Sequence, residues 1–404
     1  MPRRRAAIKC SAATLARKSP ARGLGALREL SAILELRYRL HLVRGEKDEA
    51  LRALEEAVAV TRDVGDLART AELMSSEAED YLLVDSQRSV ALRVEASSTL
   101  RGLSDRMRLH KLLLGQAFDE FRRGSVPVAR ERWAEAKHEL DAVGEPVTPY
   151  TWLAAAWMEL FAGNASAARE RYGRARQTGP RNLWVTTSDL FSFLSTYDDP
   201  TLFEEQYLSV LELALLQVED RASEARALAL ALKHRGEEAN QPRNVAYAER
   251  ALCNLECEDG EGRISDRCLE LLEAFPADKS QCFLEIGQPA AAVRTAEPAL
   301  QKEPSDPLLR ASLEAAEALL GRTGGLAELE ALSTSLRERG SVARALRVEY
   351  LLGRVEVGLH SPGGARRLRA VAKAGRAGGF VRLARRAEEA ADTRPRREQA
   401  PPHP

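Results

Sequence analysis

The sequence predicts an all-helical protein built from repeated helix pairs, and three observations carry that expectation. Leucine, alanine, arginine and glutamate dominate the 404 residues, and all four favour helix. Strand-like runs are nearly absent. Residues 183–187 are the single candidate, and they read better as the start of a helix leading to Leu190, Phe191 and Leu194. Finally, a small–large–small pattern at fixed distances after a turn residue recurs four times.

The fullest copy lies in residues 152–180. Counting from Gly163, Ala168 follows at five residues, Tyr172 at nine, Ala175 at twelve and Pro180 at seventeen. On a helix these positions share one face, where small side chains let two axes approach and the aromatic ring fills the remaining space. Gly163 and Asn164 suit the turn, and Asn164 can cap the helix that follows. Pro180 cannot continue that helix and so ends the unit. Trp152 lies eleven residues before the glycine, on the first helix of the pair.

Trp152, Ala168, Tyr172, Ala175 and Pro180 together resemble the tetratricopeptide repeat, a helix-turn-helix unit of about 34 residues. Ala155, Ala156 and Glu159 depart from it, standing where that motif favours leucine, glycine and tyrosine. The resemblance implies a right-handed superhelical solenoid of about eight to ten hairpins, each dependent on its neighbours for burial. It also places the first helix of each pair on an inner, concave surface.

Taken in order, residues 1–25 have no periodic apolar face and read as a disordered basic tail. The repeat array then spans 26–390, and a proline-rich, disordered tail occupies 391–404. Gly45 is followed by Ala50, Leu54 and Ala57, and Gly124 by Ala129, Trp133 and Ala136. Gly287 is followed by Ala292, Ala296, Ala299 and Pro304, with Ala296 small where the pattern expects a large residue. Eroded units are marked by Asp85, Asp198, Gly260, Gly321 and His360. Asp199-Pro200, Asp306-Pro307 and Ser361-Pro362 each pair a capping residue with proline at the first helical position. Residues 235–244 fit the register poorly and read as an irregular joint. The last unit, residues 345–390, is similar to the repeat tails of large bacterial signalling proteins, namely eukaryotic-type Ser/Thr kinases and multidomain regulators. No phosphate loop, catalytic loop or DFG accompanies it.

Composition excludes several functions. Lys+Arg and Asp+Glu balance at 60 each, but residues 1–28 hold eight bases and no acid, and residues 361–404 hold eleven bases against four acids. An acidic body between basic ends is not a nucleic-acid groove. No apolar run approaches a membrane span, and the start lacks a secretory apolar segment. Its acid-free, Arg-rich composition resembles an organelle transit peptide and reads here as a disordered tail or a misplaced start. The five cysteines suggest no disulfide framework, so a reducing cytoplasm is expected. Cys253, Cys257, Cys268 and Cys282 lack knuckle spacing for zinc and read as packing residues. No cofactor, metal or catalytic constellation emerges, and the six histidines form no pair at ligand spacing.

Of 21 aromatic residues, 14 lie between Phe118 and Tyr207. Trp133, Trp152 and Tyr172 fall at packing offsets. Phe118 and Trp157 each precede a turn glycine by six residues, and Tyr150 is one helical stripe from Trp157. The resemblance puts these three on the inner face, so Phe118, Tyr150 and Trp157 are the candidate partner-binding residues. Chaperone-binding repeats of this family grip a peptide carboxylate with lysine and asparagine. Here the corresponding places hold Tyr150, Leu153 and Trp157, which suits an apolar or amphipathic segment. Arg382, Arg385 and Arg386 form a basic face on the last helix and read as a solvated cap. The expected function is a non-catalytic scaffold for a protein or peptide partner in bacterial signalling. The alternatives are a regulatory or effector-sensing module of a kinase or transcription-factor system and, behind it, a cysteine-cluster metalloprotein. The oligomeric state is open.

Overall fold

A computed structural model describes residues 20–392 except 45, 82–84, 179–199, 239–240, 260–262 and 305. The described residues contain helices and no strands. In chain order the helices are α1 (Pro20–Val43), α2 (Lys47–Val64), α3 (Leu67–Tyr81), α4 (Ser86–Gly102), α5 (Arg106–Arg122), α6 (Val126–Ala142), α7 (Pro149–Phe161), α8 (Ala165–Thr178), α9 (Pro200–Val218) and α10 (Ala222–Glu238). They continue with α11 (Pro242–Asp259), α12 (Asp266–Leu271), α13 (Pro276–Glu285), α14 (Pro289–Lys302), α15 (Pro307–Leu319), α16 (Gly325–Glu338), α17 (Val342–Gly358), α18 (Gly364–Gly378) and α19 (Val381–Asp392). The chain divides into two compact units. The first comprises residues 1–119, 132–147 and 184–198, and the second 120–131, 148–183 and 199–404.

The template positions behave as their sizes require. Ala50, Ala129, Ala168 and Ala292, each five residues after its turn, are completely buried. Gly124, Gly163 and Gly287 adopt positive φ of 84°, 87° and 74°, the left-handed region that glycine enters without a Cβ penalty. The Asn164 carboxamide oxygen accepts from the Ala167 amide at 3.0 Å, as a cap should. Asp306 likewise caps α15, accepting from the amides of Leu308 and Leu309 with Pro307 in the first turn. At Ser361-Pro362 the expectation fails, because α18 starts only at Gly364. A Cβ at Gly364 would lie 2.7 Å from the Val357 amide nitrogen, so close helix crossing selects glycine as the start. Trp133 and Trp152, expected as core, are only half-buried. Arg171 and Arg174 lie over the Trp152 ring at 5.5 and 5.0 Å, sharing it with solvent. The proposed joint at 235–244 is helical on both sides. α10 runs to Glu238, α11 begins at Pro242, and Gly236 lets Val245 approach.

In the first unit α1 to α4 pack consecutively, and a buried polar layer ties the later helices to them. The Arg93–Asp119 pair is 2.8 Å apart with both side chains under a tenth exposed, and the Gln116 carboxamide donates to the Arg93 carbonyl at 3.0 Å. His110 Nδ1 lies 2.8 Å from the Ala136 carbonyl, and burial lowers its pKa. Asp80 titrates oppositely. Burial pushes its carboxyl up to about 6, with the Tyr38 hydroxyl and Lys47 pulling weakly the other way. The folded state then binds this proton more tightly than the unfolded chain. The associated stability is complete below pH ~4 and lost as pH rises through about 6. Asp80→Asn is expected to stabilise the protein by about 2 kcal/mol at pH 7.5 and by nothing at pH 4. Urea titrations at the two pH values check this, and a pH-independent gain would exclude it.

The second unit holds α7 to α19 in two alternating layers. Sequential helices pack as pairs, while α7, α9, α11 and α13, and then α13, α15 and α17, contact each other at every second helix. This odd-numbered layer returns on itself, with α17 against α7 and α19 against α9. The turns make the return close. The Val126 amide donates to the Arg339 carbonyl at 3.0 Å, a Cβ at Gly163 would come within 2.8 Å of Val342, and one at Gly378 would strike the Gly163 carbonyl.

The cysteines and the basic face of α19 also depart from the sequence expectation. The four clustered cysteines are not separate packing residues: they form the cystines Cys253–Cys268 and Cys257–Cys282. Their partners lie on different helices, so linear spacing carried no sign of the pairing. The basic face of α19 is not a solvated cap either. Arg382 and Arg386 are buried to within 5% and 10% exposure and pair with Glu258 and Glu285.

Candidate protein-binding surfaces

Trp157 stands half-buried on α7, one turn before Phe161. Helix α7 is held at its start by the Thr148 hydroxyl, which accepts from the Thr151 amide, and by Pro149 in the first turn. The Trp157 and Phe161 rings meet edge-on at 6.3 Å. Phe161 is itself fixed by Phe121 at 4.2 Å and by the Arg344 guanidinium at 4.7 Å over its face. The indole therefore has a preset orientation, with part of its surface left in water. Phe118 is half-buried on the part of α5 belonging to the first unit. Tyr150 sits in the first turn of α7, and its side chain falls outside the described residues. Phe118 and Trp157 thus belong to different compact units.

The resemblance assigns ligands to the first helices of the pairs, which are the odd-numbered helices. In the second unit their side chains engage one another. Glu285 on α13 pairs with Arg354 on α17 and lies 2.7 Å from Arg386 on α19. Glu258 on α11 lies 2.6 Å from Arg382. The Arg386 and Arg354 guanidiniums stand 5.1 and 5.8 Å over the Tyr350 ring. Burial alone would raise the Glu285 carboxyl, but Arg386 and Arg354 hold it below the ordinary carboxylate range. Each of the two carboxylates is engaged by two of these guanidiniums, Glu258 by Arg382 and Arg386 and Glu285 by Arg354 and Arg386, so the cluster joins α11, α13, α17 and α19.

The first unit offers a second surface that sequence reasoning missed. A cleft of about 330 Å³ is lined by Val94, Ser97, Ser98 and Arg101 of α4, Gln116 of α5 and Arg132 of α6. Arg101 and Arg132 share a single carboxylate, Glu135, at 3.3 and 2.8 Å. Two guanidiniums against one acid leave local positive charge beside the exposed apolar side chains of Val90 and Val94. A signal was present, since Val90 and Val94 lie one turn apart on a face of α4 that is otherwise polar. Nothing in the sequence placed α6 against them.

No known protein-family profile matches the chain, and no curated protein sequence matches it. Among solved structures, the chain is similar to the crystal structure of the APC/C hetero-tetramer Cut9–Hcn1. The identity is 11%, the TM-score 0.32, and the match covers 90% of this chain and 96% of that one. No helix among the described residues is long and apolar enough to cross a membrane.

Proposed function

We propose that the chain is a non-catalytic scaffold that holds a peptide or protein segment of a partner in bacterial signalling or regulation. The observation that carries this reading is the preset, half-buried indole of Trp157. Aromatic anchors already fixed in orientation lose little freedom on binding and dominate interface energetics. Phe118 and Tyr150 are assigned the same role on their own helices. The cleft between α4, α5 and α6 adds a place for an apolar side chain next to a carboxylate, so the preferred segment is amphipathic and acidic. The signalling setting rests on the similarity of residues 345–390 to bacterial repeat tails. The cytoplasmic placement expected from the sequence accords poorly with two cystines.

The test is affinity capture from the native host with wild-type chain, Trp157→Ala and the pair Arg101→Glu and Arg132→Glu. Trp157→Ala is expected to reduce recovery of the partner about tenfold with a melting temperature close to wild type. The charge reversals should weaken capture and make the remainder insensitive to salt. Unfolding of Trp157→Ala with no separable loss of binding would make the indole a packing residue and remove the anchor.

A further inference from the structure

We infer that Cys253–Cys268 and Cys257–Cys282 are a structural modification site, oxidised in the cell, and that the chain works in an oxidising compartment with α19 docked on the second cystine. Four of the five cysteines are paired. The Cα–Cα distances are 5.3 and 5.5 Å, inside the range a cystine spans without moving the backbone. Cys253 and Cys257 lie one turn apart on α11, and from that single face they reach Cys268 on α12 and Cys282 on α13. One helix is thereby tied to both of its successors.

The local need for such ties is visible. Helix α12 has only six residues, too few to stay helical on its own. The buried residues around it are Cys253, Cys257, Cys268, Cys282 and Leu272, with Ile264, Leu271 and Phe275 half-covered alongside. Sulfur thus replaces the apolar side chains that a full-length hairpin would supply, a substitution typical of thin cores matured under oxidising conditions. All four cysteines are at most 6% exposed, so a reductant reaches them only after local unfolding. That favours a permanent clamp over a reversible switch.

Each bond forms by two exchange steps with a disulfide-bearing oxidant, either a thiol oxidoreductase or a small-molecule disulfide. One cysteine thiolate attacks the oxidant disulfide and expels a thiol. The second thiolate attacks the mixed disulfide, closes the cystine and expels the other thiol. Two oxidant disulfides are reduced to four thiols as the chain loses four protons and four electrons.

The second cystine also presents acids. Cys257 adjoins Glu258, and Cys282 lies one turn before Glu285. Both carboxylates border the small cavity that the cystine walls. These two acids receive Arg382 and Arg386, so the bond between α11 and α13 sets their separation for α19.

Protein from its native source is to be denatured without reductant, alkylated with N-ethylmaleimide and digested. The expected result is at most one modified cysteine, Cys10, with 253–268 and 257–282 peptides joined. Alkylation of any of the four clustered cysteines overturns the inference. For the docking, the Cys257→Ser and Cys282→Ser pair keeps the first cystine. Amide exchange across Val381–Asp392 is expected to quicken about tenfold in it, and unchanged exchange would overturn the coupling. Neither readout needs a partner, so each can fail without the scaffold reading failing.

Discussion

Glu285→Ala is expected to lower stability by about 3–5 kcal/mol, more than any other single ion-pair substitution in the second unit. Glu285 is 8% exposed and contacts Arg354 and Arg386, the latter itself packed over Tyr350. Removing the carboxylate leaves the Arg386 guanidinium, 10% exposed, beside the partly exposed Arg354 without the acid between them, and the poorly solvated charge of Arg386 is the main penalty. The contrast is Arg385→Ala. Arg385 pairs with Asp220 at 2.7 Å but is 43% exposed, and an exposed pair contributes about 0–1 kcal/mol. Urea unfolding followed by circular dichroism separates the two. A Glu285→Ala loss below 1 kcal/mol would mean that water reaches the cluster and that α19 is not docked through it.

Loss of the Cys253–Cys268 cystine, made as Cys253→Ala with Cys268→Ala, is expected to cost about 3 kcal/mol for its 15-residue loop. The Cys257–Cys282 pair closes 25 residues, and the weak logarithmic dependence on loop length gives it a similar value. The comparison is made between oxidised wild type and each double variant, with a third arm of wild type in reductant. Reduced wild type should match the sum of the two variants to within the coupling expected of neighbours. If reductant leaves the unfolding midpoint unchanged, the cystines do not hold the native fold together.

These two effects mark where reading the sequence stopped. The helices, their turns and the buried alanines at five residues after each turn were legible, because each depends on side chains a few residues apart. Gly163, Ala168 and Tyr172 state their roles locally: a left-handed turn, a close contact and a space-filling ring. Arg382 and Arg386 showed only as a basic stripe. Their acids lie more than a hundred positions earlier, and a helical pattern carries no information about which distant helix it will meet. The same holds for Cys257 and Cys282, whose spacing fits no local motif because the short helix α12 and the turns on either side of it intervene. Trp157 and Phe118 were selected as candidates by their offset from a glycine, whereas the cleft at Arg101 and Arg132 came into view only once α4, α5 and α6 were side by side.

The chain alone determined that this protein is a stack of helical hairpins, since periodicity and turn chemistry act over one or two turns. Folding in three dimensions decided that the odd-numbered layer of the second unit meets itself, that charge fills the contact, and that sulfur joins α11 to α12 and α13. Those outcomes depend on contacts between segments far apart in sequence, where no local preference reaches.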